Sequence, residues 1–351
     1  MNPAITPHLK PKRNLGRLKI FAGILTVAGM ALFVYFVYAV GVTEIVDGVE
    51  KFGFDGFAVI MALFFLRIVA RAWAWKLSVH PPYELSLKDT VPAVIIGEAM
   101  SSTIPLGILI SGTSKAIAVR KRIPLVGGLS SVATENLFYS FTTGLFLIIG
   151  SFVFIRAFSV DESVLVTIDT LIGVLAFLIA LGLVMVIRQW HFLSETCEWI
   201  YAKGFFRSLL EDTRHNIRKF EDLIYGFYRH YPKRFVPICG IETMYHLLGI
   251  AEVYFILYRL GSGVNLLNAF LLETVSRLIT IVFKLVPFMV GVDEAGAQFV
   301  GKTAALAAGV GVTLAIIRKG RILFWTAVGW AFIIKRGILF ELEHEPEPEQ
   351  I

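Results

Sequence analysis

The sequence predicts an all-α polytopic membrane protein with about eight hydrophobic segments, including one or two re-entrant or broken helical hairpins. Three observations lead there. Apolar residues make up 56% of the 351-residue chain and charged residues only 17%, which leaves too little polar surface to solvate a globule of that length. Charge-free stretches such as Ile20 to Thr43 match the roughly 20 apolar residues that a helix needs to cross a hydrocarbon core about 30 Å thick. Two of the hydrophobic segments are interrupted by proline and glycine, one around Pro105 and one around Pro287.

Lys10, Lys12, Arg13, Arg17 and Lys19 precede the first run, and Glu44, Asp47 and Glu50 follow it. By the positive-inside rule this places the N-terminus in the cytoplasm. A cleaved signal peptide would also start basic and apolar, but this run is too long and lacks a small-x-small cleavage site. The second segment, Phe54 to Leu77, carries Arg67, Arg71 and Lys76 toward its end and so returns to the cytoplasm. Val91 to Ser111 is apolar apart from Glu98, is broken by Pro92, Pro105 and Gly107, and has cations on both flanks. It reads as a re-entrant hairpin, which must line an interior because non-helical backbone at membrane depth needs protein or water to satisfy it.

Ile123 to Ile155, with Glu135, and Ser163 to Ile187, with Asp169, are the next two crossings. Between residues 188 and 234 lies the one polar region of any size, where Ile217, Phe220, Ile224 and Phe227 recur at helical spacing beside Arg218 and Lys219. That pattern predicts a cytoplasmic interfacial helix. Phe235 to Tyr258 and Val264 to Val290 follow, then a segment from Ala295 to Ile317 closed by Arg318, Lys319 and Arg321, then a last span near Ile322 to Ile334. The expected organisation is a basic cytoplasmic N-terminus at 1–19, a transmembrane domain at 20–340 containing the interfacial segment 188–234, and an acidic disordered tail at 341–351. Ile104-Pro105-Leu106-Gly107 echoes Val286-Pro287-Phe288; paired interrupted segments point to a transporter-type site, and the echo leaves open whether the halves are a true repeat.

Ionisable groups within spans cost about 2.5–3.5 kcal/mol each on insertion scales and are expected to face an interior with partners. Arg67 and Arg71, four apart on one helix face, could hold a phosphate through their planar forks. Their alternative is to snorkel to head groups beside Trp73 and Trp75, which is the expectation for Arg71 more than for Arg67. Glu273 and Arg277 are expected to neutralise each other as a structural pair. Glu98 and Glu294 each adjoin a helix break, and the expectation is that they converge on one cavity, neither needing a basic partner adjacent in sequence. Glu242 and His246, one turn apart, read either as a proton relay or as an interior hydrogen bond.

No glycine-rich phosphate loop, H-E-x-x-H or G-x-S-x-G motif occurs, which removes the common soluble nucleotide, metalloprotease and serine hydrolase sites. Cys197 and Cys239 are the only cysteines, so neither a disulfide framework nor a metal cluster is expected. No cofactor is expected either. The formal charge of +6 comes from cations at segment ends, which read as topology determinants and lipid contacts rather than a nucleic-acid surface.

Arg67-x-x-x-Arg71-Ala72-Trp73-Ala74-Trp75, Gly97-Glu98 followed by Ile104-Pro105-Leu106-Gly107 and the small residues up to Lys115, Glu135 in its apolar helix, and Pro287 followed by Gly291 and Glu294 together resemble the transmembrane region of lysylphosphatidylglycerol synthases. This is a flippase-like integral membrane family of bacteria and archaea. The resemblance covers nearly the whole chain after the first twenty residues. It implies movement of charged phospholipids between leaflets of the inner membrane, with Arg67, Arg71, Glu98, Pro105, Gly107, Lys115, Glu135, Pro287, Gly291 and Glu294 along the lipid pathway. Two departures stand out: Glu135 is followed by Asn136 where the family usually has arginine, and Phe288 and Met289 follow the second proline. The family's aminoacyl-transferase domain is absent from this sequence, so synthesis of lysyl-lipid is not expected. A lipid translocase is the leading reading; a membrane-embedded enzyme acting on a lipid head group, or a scaffold for a lipid-modifying partner, are its rivals. The expected partners are a membrane lipid and either a second copy of the chain or a lipid-modifying enzyme.

Overall fold

The structure is a computed structural model that describes residues 34–35, 38, 41–103, 107–158, 161–203, 207–261, 265–282, 287–304, 306–307 and 309–336. The basic N-terminus, most of the first hydrophobic run, the hairpin tip containing Pro105 and the acidic tail lie outside the described residues. Among those described, there are eleven α-helices and no strands. They are α1 (Val42–Leu77), α2 (Leu87–Thr103), α3 (Gly107–Ala118), α4 (Leu125–Ala157), α5 (Glu162–Arg188), α6 (Phe192–Ala202), α7 (Arg207–His230), α8 (Phe235–Leu260), α9 (Leu266–Val282), α10 (Val292–Thr303) and α11 (Val310–Arg336). The chain is an all-α polytopic membrane protein, as its hydropathy predicts.

Helix is the expected outcome because a lipid-embedded backbone must satisfy its own N–H and C=O groups. Three helices, α1, α4 and most of α5, are long and apolar enough to cross a membrane by length and composition. At 26 and 27 residues, α8 and α11 span about 40 Å each at 1.5 Å per residue, but they carry more charge. Breaks fall where the chain cannot continue as helix. Gly53 leaves helical geometry inside α1 with φ 71°, just before the segment predicted to start at Phe54. Gly261 closes α8 in the left-handed region, and Pro124 stands immediately before α4.

The two interrupted segments become two short helix pairs. In each, a 17-residue helix is followed by a 12-residue one: α2 with α3, and α9 with α10. Twelve residues reach only about 18 Å, well short of a bilayer core. Both pairs fold back on themselves. Gly97 of α2 lies against Ser111 and Lys115 of α3, while Gly296 of α10 lies against Ile279 and Val275 of α9.

These pairs belong to two halves of matching architecture. The first half is α1–α4 and the second is α8–α11, and each helix–helix packing in one has its counterpart in the other. Thus α2 packs on α11 as α9 packs on α4, and α1 packs on α11 as α8 packs on α4. At the centre, α1 and α8 run antiparallel: Lys51 Nζ donates to the Leu260 carbonyl at 2.8 Å near one end, and Arg234, just before α8, donates to the Leu77 carbonyl at 3.1 Å at the other. Corresponding helices that run in opposite directions define an inverted repeat. This resolves the echo around Pro105 and Pro287 as a structural repeat.

Lipid tails are as apolar as leucine, so helices here associate by close packing rather than by hydrophobic burial, and small residues mark the crossings. Gly150 on α4 sits against Thr274 on α9, and Gly329 on α11 sits against Ala99 and the Ile95 carbonyl on α2. These are corresponding contacts in the two halves. Between the halves, α5 packs along α4 and otherwise exposes apolar side chains such as Val174, Phe177 and Leu178. Helix α7 buries Ile224 and Phe227 and exposes Arg218 and Lys219, in keeping with the amphipathic spacing.

One part of the sequence reading is overturned. Ala295 to Ile317 and Ile322 to Ile334 are not two segments separated by cations. The chain breaks after Thr303 instead, and Arg318, Lys319 and Arg321 sit inside the single helix α11. They are tolerated there because buried carboxylates meet them, not because they end a span.

Candidate functional site

Helices α1, α2, α4, α8, α9, α10 and α11 line a partly open cavity of about 140 Å³. Its wall is formed by Phe64 and Arg71 from α1, Glu98, Ser101 and Ser102 from α2, Tyr139 from α4 and Tyr245 from α8. From the second half come Ser276, Arg277 and Thr280 of α9, Phe288 and Met289 at the break, Asp293 of α10, and Arg318, Arg321, Ile322, Trp325 and Thr326 of α11. Phe288 and Met289 are non-glycine residues with φ of 53° and 50°, an uncommon backbone state that the surroundings must hold in place.

Four guanidinium groups therefore reach one space, and each is fixed by acids behind it. Glu273 is the hub: it accepts from Arg277 Nε at 2.8 Å, Arg318 Nη2 at 2.9 Å and Arg67 Nη2 at 3.1 Å. Glu252 accepts from Arg67 Nη1 at 3.2 Å and from Arg321 Nη1. Arg71 donates through Nε to Glu135 at 2.9 Å and through Nη2 to the Asn136 amide oxygen at 3.2 Å. Tyrosine rings back the cations, with the Arg71 guanidinium 4.0 Å from the Tyr139 centroid and that of Arg67 4.3 Å from Tyr245. Ser276 ties three helices of the second half together, accepting from Arg318 at 2.8 Å and donating to Asp293 at 3.3 Å. Isolated charges at this depth would each cost several kcal/mol (~3 or more); pairing offsets this and leaves the guanidinium forks oriented before any ligand arrives.

Charge within the cluster is balanced. Among the described residues Arg67, Arg71, Lys115, Arg277, Arg318, Lys319 and Arg321 stand against Glu98, Glu135, Glu242, Glu252, Glu273, Asp293 and Glu294, so cations and carboxyls match in number.

The candidates from the sequence distribute as follows. Arg71 and Glu98 line the cavity. Arg67 is fully buried just behind it and acts on its wall through Glu252 and Glu273. Snorkelling by Arg71 is ruled out, since its guanidinium is buried on Glu135. Glu273 and Arg277 are paired as expected, although the pair is a fragment of a larger network. Lys115 is buried and packs over Gly97. Gly107 begins α3, Pro287 begins the short 3₁₀ turn before α10, and Gly291 starts α10 with φ 83°. Pro105 lies outside the described residues.

Glu294 departs from the expected convergence with Glu98. Its Oε2 accepts the Gly291 N–H at 2.8 Å, and its Oε1 meets Lys319. At the third position of a helix a glutamate reaches back to the helix's own first N–H groups, which turns it away from the cavity. Asp293, one residue earlier, lines the cavity instead. The sequence reading also missed the inward roles of Arg318 and Arg321. Their i, i+3 spacing on one helix face was the available signal, masked by reading them as the end of a span.

A family model for the lysylphosphatidylglycerol synthase TM region matches residues 20–329. The chain belongs to this family. No curated protein and no solved structure matches it. Membership marks a membrane protein related to lipid modification or transport. In this member of the lysylphosphatidylglycerol synthase TM family, the matched span contains both helix pairs and every residue of the cavity wall.

Proposed function

We propose that the protein is a lipid translocase of the inner membrane, with its N-terminus in the cytoplasm, that carries the phosphate of a phospholipid or polyprenyl-linked head group through the cavity while the acyl chains stay in the bilayer. The observation that carries this reading is the convergence of Arg71, Arg277, Arg318 and Arg321 on one intramembrane space. Planar guanidiniums match phosphate oxygens bidentately, and at membrane depth a lipid is the abundant source of that group. The wall has an apolar side as well, made by Phe64, Ile322 and Trp325, which suits the glycerol and first methylenes of a lipid. The inverted repeat supports transport over catalysis, because antiparallel halves around a central site allow the same site to face either leaflet by exchange of their conformations. Glu98 and Asp293 give the wall a place for a cationic or hydroxylated part of the head group.

Photo-crosslinking tests the occupant. With a photoreactive amino acid in place of Ile322, irradiation in native membranes followed by mass spectrometry should yield adducts of phosphate-bearing lipids. Recovery of unmodified protein alone would contradict the reading, and a covalently altered head group released during incubation would favour the enzymatic rival.

A further inference from the structure

We infer that Glu135 and Glu242 form a buried proton-binding site whose occupancy is coupled, through Arg71, to anion binding in the cavity. The inference rests on reading the cavity as a phosphate site and adds the ion that would drive it.

Glu242, on α8, is fully shielded from solvent, and neither of its carboxyl oxygens has a hydrogen-bond partner. Its neighbour across the α4–α8 contact is the carboxyl of Glu135, within hydrogen-bonding reach. Glu135 is equally enclosed: one oxygen takes Arg71, and the other, Oε2, is without a donor. Two ionised carboxylates offer only acceptors to each other, and like charges this close in a low-dielectric interior cannot both persist. A single proton gives the pair the donor it lacks, because protonated Glu242 can donate to Glu135 Oε2 while Glu135 stays ionised against Arg71.

Charge balance gives the proton its consequence. With every group ionised, the cations and carboxyls of the cluster cancel. A proton on the pair leaves one net positive charge, which a phosphodiester monoanion neutralises. Anion and proton thus favour each other's binding, and linkage makes the effect reciprocal. Arg71 connects the two sites, since it touches Glu135 directly and also lines the cavity. The proton moves as H⁺ from the aqueous phase onto a carboxylate oxygen and leaves the same way; no other bond changes.

Other charged and titratable groups surround the pair: Arg71 of α1 and Lys115 of α3 interact with both carboxyls, and Glu98 of α2 and Tyr139 of α4 interact with Arg71. Cys239 lies on α8 with Tyr228 of α7 beside it, and His246 of α8 faces Glu273 and Arg277 of α9. His246, four residues along α8 from Glu242, is a rival titrating group, but its Nε2 is engaged by Thr143 at 3.0 Å and its ring is stacked 4.7 Å from Phe146.

The test measures binding of short-chain phosphatidylglycerol and of its acyl-free diester, glycerophosphoglycerol, to purified full-length protein across pH, since neither phosphodiester titrates in the range measured. Because the anion-loaded state holds the proton, affinity is greatest at low pH and falls as pH rises through the titration of the empty pair, by up to about tenfold per pH unit for one linked proton. Glu242→Gln, permanently neutral at the same volume, should bind with no such dependence and stay tight at alkaline pH, whereas His246→Asn should keep the wild-type profile. An infrared band of a protonated carboxyl, present in the wild type and lost in Glu242→Gln, reads the site without any ligand. A flat wild-type profile with both probes, a sloping profile in Glu242→Gln, or loss of the slope in His246→Asn overturns the inference. Proton-linked glycerophosphoglycerol binding without binding of the lipid would leave the proton site standing and count against the lipid reading alone.

Discussion

Arg67 and Glu273, 206 residues apart in the chain, meet at 3.1 Å with both side chains fully shielded from solvent. The contact joins the first half of the repeat to the second, and Glu273 extends it to Arg277 and Arg318. Glu273→Gln should therefore remove a carboxylate from three guanidiniums and leave Arg277 with none, while Arg277→Gln removes one of three partners from Glu273. The expected loss is about 3–5 kcal/mol for Glu273→Gln and less for Arg277→Gln, read as thermal unfolding in detergent. The double variant should not recover full stability, since Arg67, Arg318 and Arg321 then have Glu252 alone between them. A double variant as stable as the wild type would reduce the network to an isolated pair.

Gly291 holds φ 83° and ψ −38° at the start of α10, a conformation that a side chain resists. Gly291→Ala is expected to cost about 1–3 kcal/mol and to loosen the Glu294 contact to the Gly291 N–H. Hydrogen exchange over residues 287–304 should rise. Unchanged exchange would mean that the break before α10 needs no glycine.

Gly150 and Gly329 occupy corresponding crossings, and a Cβ at either would come within 2.4 Å of a neighbouring side-chain atom. Gly150→Val and Gly329→Val should each destabilise by about 1–3 kcal/mol or more through overpacking. Similar losses from both support the equivalence of the two halves; a silent substitution at one site would show that its crossing can open freely.

Glu221 on α7 accepts the Leu193 N–H at 2.8 Å and the Ser194 N–H at 3.1 Å, and it also takes the Ser194 hydroxyl. A carboxylate on the free N–H groups of a helix start satisfies donors that have no intrahelical partner. Glu221→Ala should release α6, seen as faster hydrogen exchange confined to residues 192–202, at a cost of about 1–3 kcal/mol. Exchange that rises equally across α8 would show that α6 is not a separate docking unit.

Much of this architecture was legible because membrane segments announce themselves by length and charge. Pro105 and Pro287 with their flanking glycines marked both breaks, and Arg67, Arg71, Glu98 and Glu273 stood out as ions that lipid would not tolerate unpaired. Pairing was the illegible part. Arg71 meets Glu135 and Arg67 meets Glu252 across sequence separations of 64 and 185 residues, and no local spacing encodes which acid receives which cation. The end of α10 was missed for a different reason: Ala, Gly and Val continue through 304–317, so hydropathy does not fall where the backbone breaks. Glu294 was assigned to the cavity by its place beside the break, whereas the geometry of a helix's first turn selects Asp293.

The central claim, passage of a lipid head group through the arginine-lined cavity, is tested most directly by filling that cavity without touching its charges. Ser101 lines the wall and has no ionic role, so Ser101→Trp should block the space and leave the Glu273 and Glu252 networks intact. Purified wild-type protein in liposomes should expose inner-leaflet fluorescent phospholipid to a membrane-impermeant quencher, measured with and without an imposed pH gradient. The account predicts that Ser101→Trp, folded to the wild-type yield, reduces this exchange to that of protein-free liposomes. Exchange by the variant at the wild-type rate would contradict a route through the cavity.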